Sequence, residues 1–158
     1  MKKKLLLFTI LFVFIDQIVK GLIGLFMNFG ESISVIGNFF NLTLVYNEGA
    51  AFGLFVGGRW FFLLAAIITL NIVYFLIKDK ELNKLEIFVY SMLLGGIIGN
   101  MVDRVVYGAV IDFLDFRFFG FNFAIFNFAD AFIVISVIIL VGLIIKEEIH
   151  AKNNRRKK

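Results

Sequence analysis

Cysteine and proline are both absent from the chain, and histidine occurs once, as His150 in a basic C-terminal stretch. Without cysteine there is no disulfide, no thiol nucleophile and no thiolate metal site. A Ser-His pair, a histidine metal cluster or an imidazole proton shuttle would have to rest on His150 alone. Chemistry is therefore left to Asp, Glu, Lys, Arg, Tyr, Ser and Asn, and neither a metal nor any other cofactor is expected. Charge is scarce too, at 18% of residues, where an ordinary soluble domain carries roughly a quarter.

Hydrocarbon takes the place of charge: 61% of the 158 residues are apolar and 22 are phenylalanine. The bilayer is the expected solvent, and the length allows one integral membrane domain. Four stretches, 5–26, 60–77, 85–106 and 129–145, are long enough to cross, about 20 residues being needed. Each should be helical, because backbone groups in hydrocarbon can be satisfied only within the segment. The first stretch follows Lys2-Lys3-Lys4 and so imitates a secretory signal peptide. No small-x-small cleavage site follows it, and Asp16 and Lys20 interrupt it, so it reads as a retained helix.

Twelve of the 16 basic residues fall in three blocks: Lys2, Lys3 and Lys4; Lys78, Lys80 and Lys84; and Lys146, Lys152, Arg155, Arg156, Lys157 and Lys158. Two spans separate each block from the next, so all three face one side, the cytoplasm by the positive-inside rule. Both termini are then cytoplasmic, and 146–158 reads as a basic cytoplasmic tail, mobile from Asn153 onward. A positive net charge, here +4, is shared by nucleic-acid binders, but basic residues that flank apolar runs mark membrane orientation, and no nucleic-acid partner is expected.

The outer connections differ from the cytoplasmic one. In the region 32–55, Phe40, Leu42, Leu44 and Tyr46 alternate with Asn41, Thr43, Val45 and Asn47, the period of a strand. Gly49-Ala50-Ala51-Phe52-Gly53 then breaks the pattern with small residues. The second connection, 107–127, reads as an aromatic loop suited to the membrane interface. The fold class expected is a mainly α membrane protein with four transmembrane helices, a small β-sheet and an aromatic loop on the outer surface.

An ionisable group at membrane depth costs roughly 3 kcal/mol or more, so those present ask for a reason. Asp16 and Lys20 stand four apart on one helical face within ion-pair reach; a structural pair and a role toward substrate are both open, and compatible. Asn100, Asp103 and Arg104 share one stripe near the outer end of the third span, where Asp103 and Arg104 can anchor an outer loop. Glu86, at its other end, reads as interfacial. Asn127-x-x-Asp130 falls where the fourth span should begin, and Asn at N-cap with a carboxylate at N3 is an ordinary helix start. Asp112 is harder to dismiss. Flanked by bulky apolar residues, with no cation nearer than Arg117, it should titrate high unless something across the fold compensates. If Asp112 and Asp130 met, they would share a proton. One could then activate water while the other protonates an oxyanion and a leaving amine, without cysteine, histidine or metal.

Five elements in order carry a resemblance: Asp16-Gln17-x-x-Lys20; Asn47-x-Gly49-Ala50-Ala51-Phe52; Gly99-Asn100-x-x-Asp103-Arg104; Val110-x-Asp112-Phe113; and Phe126-Asn127-x-Ala129-Asp130. Together they resemble the lipoprotein signal peptidases (signal peptidase II), bacterial membrane aspartyl peptidases. The resemblance implies a catalytic pair, Asp112 and Asp130. It also implies supporting or substrate-binding roles for Asp16, Lys20, Asn47, Gly49, Ala50, Asn100, Asp103, Arg104, Asn127 and Ala129. Asp115 stays structural in this reading. The substrate implied is a prolipoprotein bearing a diacylglyceryl cysteine, cut before that cysteine at the outer face of the bacterial cytoplasmic (inner) membrane. Membrane lipids are the other expected partners, and the enzyme should act as a monomer. Two positions depart from the family's pattern: no proline precedes the last motif, and Glu48 places a carboxylate beside the small-residue turn. Both bear on loop shape and substrate preference.

Other classes fit less well. A proton-coupled transporter using Asp16, Asp103 and Asp112 would need a polar path to the cytoplasm, yet the second span offers only Thr69 and Asn71, and the fourth only Asp130 and Ser136. A non-catalytic assembly factor leaves the outer carboxylates unexplained, and no serine lies at useful spacing from a membrane lysine for a Ser-Lys peptidase.

Overall fold

The structure is a computed structural model that describes residues 2–49, 57–118 and 121–156. Four helices, α1 (Lys2–Phe26), α2 (Arg59–Ile77), α3 (Lys84–Val106) and α4 (Phe128–Arg156), are joined by four strands, β1 (Ser32–Ile36), β2 (Phe40–Asn47), β3 (Val110–Phe118) and β4 (Phe121–Asn122). All four helices are long and apolar enough to cross a membrane. Their large apolar side chains stay bare over much of the surface, among them Leu6, Phe14, Ile67, Phe75 and Ile138. A soluble monomer rarely carries such continuous apolar area.

The central helix is α3, which is buried along most of its length while the other three face outward. Its small residues permit that position. A Cβ on Gly95 would collide with Phe12 of α1, one on Gly96 would lie 2.5 Å from the Ala129 carbonyl of α4, and one on Gly99 would lie 2.6 Å from Asp16 Oδ2. Close helix approach through small residues is how membrane helices pack when no hydrophobic effect drives them together. The start of α3 is fixed by a capping box: Glu86 N donates to Asn83 Oδ1 at 3.0 Å and Asn83 N donates to Glu86 Oε2 at 2.8 Å. Glu86 is thus not merely interfacial but buried, and it pairs with Lys80 at 2.7 Å. Gly108, at φ 78°, ends the helix in the left-handed conformation that favours glycine.

The sheet is antiparallel in the order β1-β2-β3-β4. It lies at the end of the bundle where α1 and α3 finish and α2 and α4 begin. Met27, Leu44 and Ile111, with Ile23 and Leu42 against them, root it on the end of α1. The alternation over 40–47 matches β2. The segment 107–127, read as a loop, is mostly strand instead: β3 pairs with β2 from Phe40↔Phe116 to Asn47↔Val110. No alternation announced it, because β3 is buried on both sides from Val110 to Phe113.

The fourth helix also differs from expectation. It runs 29 residues to Arg156, so most of the stretch taken for a mobile tail is helical. Hydropathy locates the apolar part of a helix and not its end. Lys146-Glu147-Glu148 and Ala151-Lys152 are good helix formers that simply carry α4 onward. The other helix starts agree with the sequence reading to within three residues.

Candidate active site

The base of the site is a buried ionic cluster between α1 and α3. Lys20, 1% exposed, lies 2.8 Å from Asp16 Oδ2 and 2.8 Å from Asp103 Oδ2. The i, i+4 pair expected on α1 is therefore present, with a second carboxylate that the spacing did not announce. A lysine this deep is tolerable only when its charge is paired and its protons are used. Its remaining contact is Asn100 Oδ1, at 3.0 Å. Asp16 also accepts from the Ala129 backbone N–H at 2.9 Å, and Asp103 from Ile111 N–H at 3.2 Å. The cluster thereby fixes the start of α4 and the start of β3 together. Gln17, which sequence reasoning quoted only within a motif, donates to Asp103 Oδ1 at 2.8 Å and to the Gly99 carbonyl at 3.2 Å. Its signal was available: it is an uncharged polar residue inside an apolar span.

Two asparagine amides connect this cluster to Asp112 and Asp130. Asn100, oriented by Lys20 at its oxygen, donates from Nδ2 to Asp130 Oδ1 at 2.7 Å. Asn127 donates from Nδ2 to Asp112 Oδ1 at 2.7 Å and lies 3.1 Å from Asn100 Oδ1. Asn127 Oδ1 accepts from Asp130 N–H at 3.0 Å, while Asp130 Oδ2 accepts from Asn127 N–H at 3.2 Å. The local expectation of a helix cap is met by that reciprocal pair. The tertiary bond from Asn100 comes in addition to it.

The sheet delivers Asp112. Val45 on β2 pairs with Asp112 on β3, so Asn47, two residues on, shares its face. Asn47 Nδ2 donates to Asp112 Oδ2 at 2.9 Å. Phe126, just before Asn127, bridges to Leu114 of β3, with Leu114 N–H donating to the Phe126 carbonyl at 2.8 Å. That bridge brings the Asn127-x-x-Asp130 turn alongside Asp112. Both carboxylates line one cavity of about 370 Å³, with Asn47, Gly49, Asn100, Arg104, Phe62 and the 123–126 segment. Arg104 packs over the Phe62 ring at 4.7 Å and reaches the Gly49 carbonyl at 3.4 Å. Gly49 N–H in turn donates to Asn47 Oδ1 at 3.0 Å. Of the sequence-derived candidates, only Ala50 lies outside the described residues.

Asp112 titrates high, as its surroundings in the sequence led one to expect. Burial raises it, the neighbouring charge of Asp130 raises it further, and the bonds from Asn47 and Asn127 only partly offset this, leaving it at about 7. Asp115, three residues on, is the contrast. Burial acts upward there too, but Arg117 at 2.7 Å and Thr43 at 2.9 Å hold its carboxyl below the usual range. It does not line the cavity.

The fold and this cleft define the class first. The chain is similar to a bacterial membrane enzyme solved by the in meso method at 2.3 Å resolution, with TM-score 0.82, 39% identity, and coverage of 91% of this chain and 88% of that one. A second bacterial membrane enzyme, at 1.9 Å resolution, superposes with TM-score 0.79 at 39% identity over 90% of this chain and 92% of the other. The family model described as Signal peptidase (SPase) II matches residues 8–146. A lipoprotein signal peptidase of Staphylococcus aureus is 37% identical over 153 residues, 96% of this chain and 94% of that protein. The homologue from strain MRSA252 is 38% identical over the same span. The chain belongs to the signal peptidase II family and is a membrane-embedded aspartic endopeptidase of the lipoprotein signal peptidase type.

Proposed function

We propose that Asp112 and Asp130 form the catalytic pair of this peptidase, and that it releases signal peptides from diacylglyceryl-modified prolipoproteins by cutting just before the lipidated cysteine. One observation carries the reading: two carboxylates from separate elements, β3 and α4, line a single cavity, each held by an asparagine amide. With Asp112 titrating at about 7, the pair retains a proton near neutral pH. A water between them attacks the scissile carbonyl carbon and gives its proton to the ionised carboxylate. The protonated partner donates to the carbonyl oxygen. As the tetrahedral intermediate collapses, the C–N bond breaks, the amine of the lipidated cysteine takes up a proton from the protonated carboxyl, and the other carboxylate accepts a hydroxyl proton of the intermediate, which restores the singly protonated pair. Arg104, bordering the same cavity, favours negative charge there and can orient a substrate carbonyl.

The remaining candidates act behind this chemistry. Lys20, Asp16 and Asp103 hold Asn100, and Asn100 holds Asp130. Asn47 and Asn127 fix the two oxygens of Asp112; Gly49 and Ala129 fix the turns on either side, with Ala50 in the small-residue segment after Gly49. The three basic blocks support both termini being cytoplasmic, which puts the sheet and the cleft at the outer face of the cytoplasmic membrane. There the acyl chains of the substrate stay in the bilayer, and one monomer suffices. The test is processing of a diacylglyceryl precursor by full-length enzyme and by Asp112→Asn and Asp130→Asn. Each substitution should abolish cleavage while the protein remains folded in the membrane. Turnover retained by either variant would overturn the assignment.

A further inference from the structure

Asp112 borders two cavities that differ in fixed charge. The first contains Asp130 and Arg104. The second, of about 510 Å³, is formed by Val45, Tyr46 and Glu48 of the β2 end together with Asn47, Gly49, Asp112 and Ile125. Asn47, Gly49, Asp112 and Ile125 border both. The second cavity contains a carboxylate, Glu48, that is exposed and has no ion-pair partner among the described residues. None of its described lining residues is a cation. The neighbouring 50–56 segment, Ala-Ala-Phe-Gly-Leu-Phe-Val, has no charge to add.

A third cavity borders the other carboxylate, Asp130. It is lined by Phe123, Phe126, Asp130, Ala131, Val134 and Ile135, runs along the face of α4, and has about 320 Å³. Its walls are apolar apart from Asp130, so they suit a signal helix or acyl chains that remain in hydrocarbon. The Glu48 cavity, by contrast, is built at the exposed end of a strand, beside Tyr46. A mature chain leaving toward water would pass there.

We propose that Glu48 is a specificity-determining residue that faces the first residues of the mature segment, favouring a basic and disfavouring an acidic side chain directly after the lipidated cysteine. This rests on the peptidase reading above, and it concerns a residue that none of the proposed chemistry uses. The physical cause is plain Coulomb interaction in a partly wet cavity. One charge at several Å from another changes affinity by about fivefold near water, so lysine and glutamate substrates, shifted in opposite directions, should differ by about 25-fold.

The test uses the full-length enzyme in detergent and three diacylglyceryl precursor peptides, identical except for Lys, Gln or Glu after the modified cysteine. With wild-type enzyme kcat/KM should rank Lys above Gln above Glu, and the spread should narrow as salt rises. Glu48→Gln should flatten the ranking, and Glu48→Lys should invert it. Turnover of the Gln peptide by each variant reports that it is folded. Equal kcat/KM for the three peptides with wild type, or a ranking that persists in Glu48→Gln, would overturn the inference while leaving the peptidase reading intact. A wild-type enzyme that cleaves none of them would overturn both.

Discussion

Replacing Asp112 by asparagine should abolish cleavage and yet, above neutral pH, make the protein harder to unfold. The carboxyl has a folded value of about 7 against 3.8 when unperturbed. A carboxyl raised in this way contributes stability that is fully present below about pH 4 and is lost as pH rises through 7. Between pH 5 and pH 8 the penalty carried by Asp112 therefore grows by about 2–3 kcal/mol, and at pH 8 it totals about 4 kcal/mol. Asparagine removes that penalty but does not match the pocket. Asn47 at 2.9 Å and Asn127 at 2.7 Å both donate to Asp112, and an amide can accept at only one of its two positions. Turning an NH2 toward a donor costs about 1–3 kcal/mol. The net gain at pH 8 is about 1–3 kcal/mol, or roughly 2–12 °C in melting temperature for a chain of this size. At pH 5 the gain vanishes or reverses. The assay is thermal melting of the detergent-solubilised protein at both pH values. A variant that melts below wild type at pH 8, or by a difference that does not change with pH, would refute the reasoning.

Two further substitutions probe the network from other directions. Asp130→Asn should lose activity but, unlike the change at Asp112, should lower the melting temperature at pH 8 as well as at pH 5. It weakens the N-terminal cap of α4, where Asp130 accepts from Asn127 N–H at 3.2 Å, at about 1 kcal/mol. Lys20→Met should leave Asp16 and Asp103, both fully buried, without their shared cation. The expected loss is about 3–5 kcal/mol, seen as a sharp fall in yield of monodisperse protein. Adding Asp16→Asn and Asp103→Asn to it should restore part of that yield, and a triple variant no better than the single one would contradict the pairing.

What could be read from the chain in advance follows from how each element is held. The four helices were legible because lipid is their solvent, and hydropathy measures that solvent directly. Strand β2 was legible because its residues alternate in type, although its burial does not follow them: Asn41 is buried and Tyr46 exposed. Strand β3 was not: its first four residues are buried on both faces, and Asp112 and Asp115 sit three apart, so no period of two survives. The end of α4 was hidden for a different reason, since a helix that leaves the bilayer keeps its hydrogen bonds while losing its apolar signal. Lys20's second partner, Asp103, lies on another helix and has no local trace in the sequence.

The two aspartates illustrate the same point in opposite ways. Asp112 breaks local rules: it is an acid among bulky apolar residues with no neighbouring cation, and a residue that breaks a local rule invites a search for a distant cause. The cause is tertiary, in amides supplied by β2 and by the turn before α4. Asp130 breaks no rule. Its place at N3, three residues after Asn127, is fully accounted for by capping, and the capping bonds are present. A residue that already satisfies a local role conceals any second one. The second contact, from Asn100 on α3 at 2.7 Å, uses the oxygen that the cap leaves free. Capping occupies Oδ2 and the inter-helix amide occupies Oδ1, so the helix start that fixes Asp130 also aims it into the cavity. Asparagine at 130 can accept at only one of these two positions, so it gives up either the cap or the bond from Asn100, whereas asparagine at 112 gives up one neighbour and relieves a buried charge.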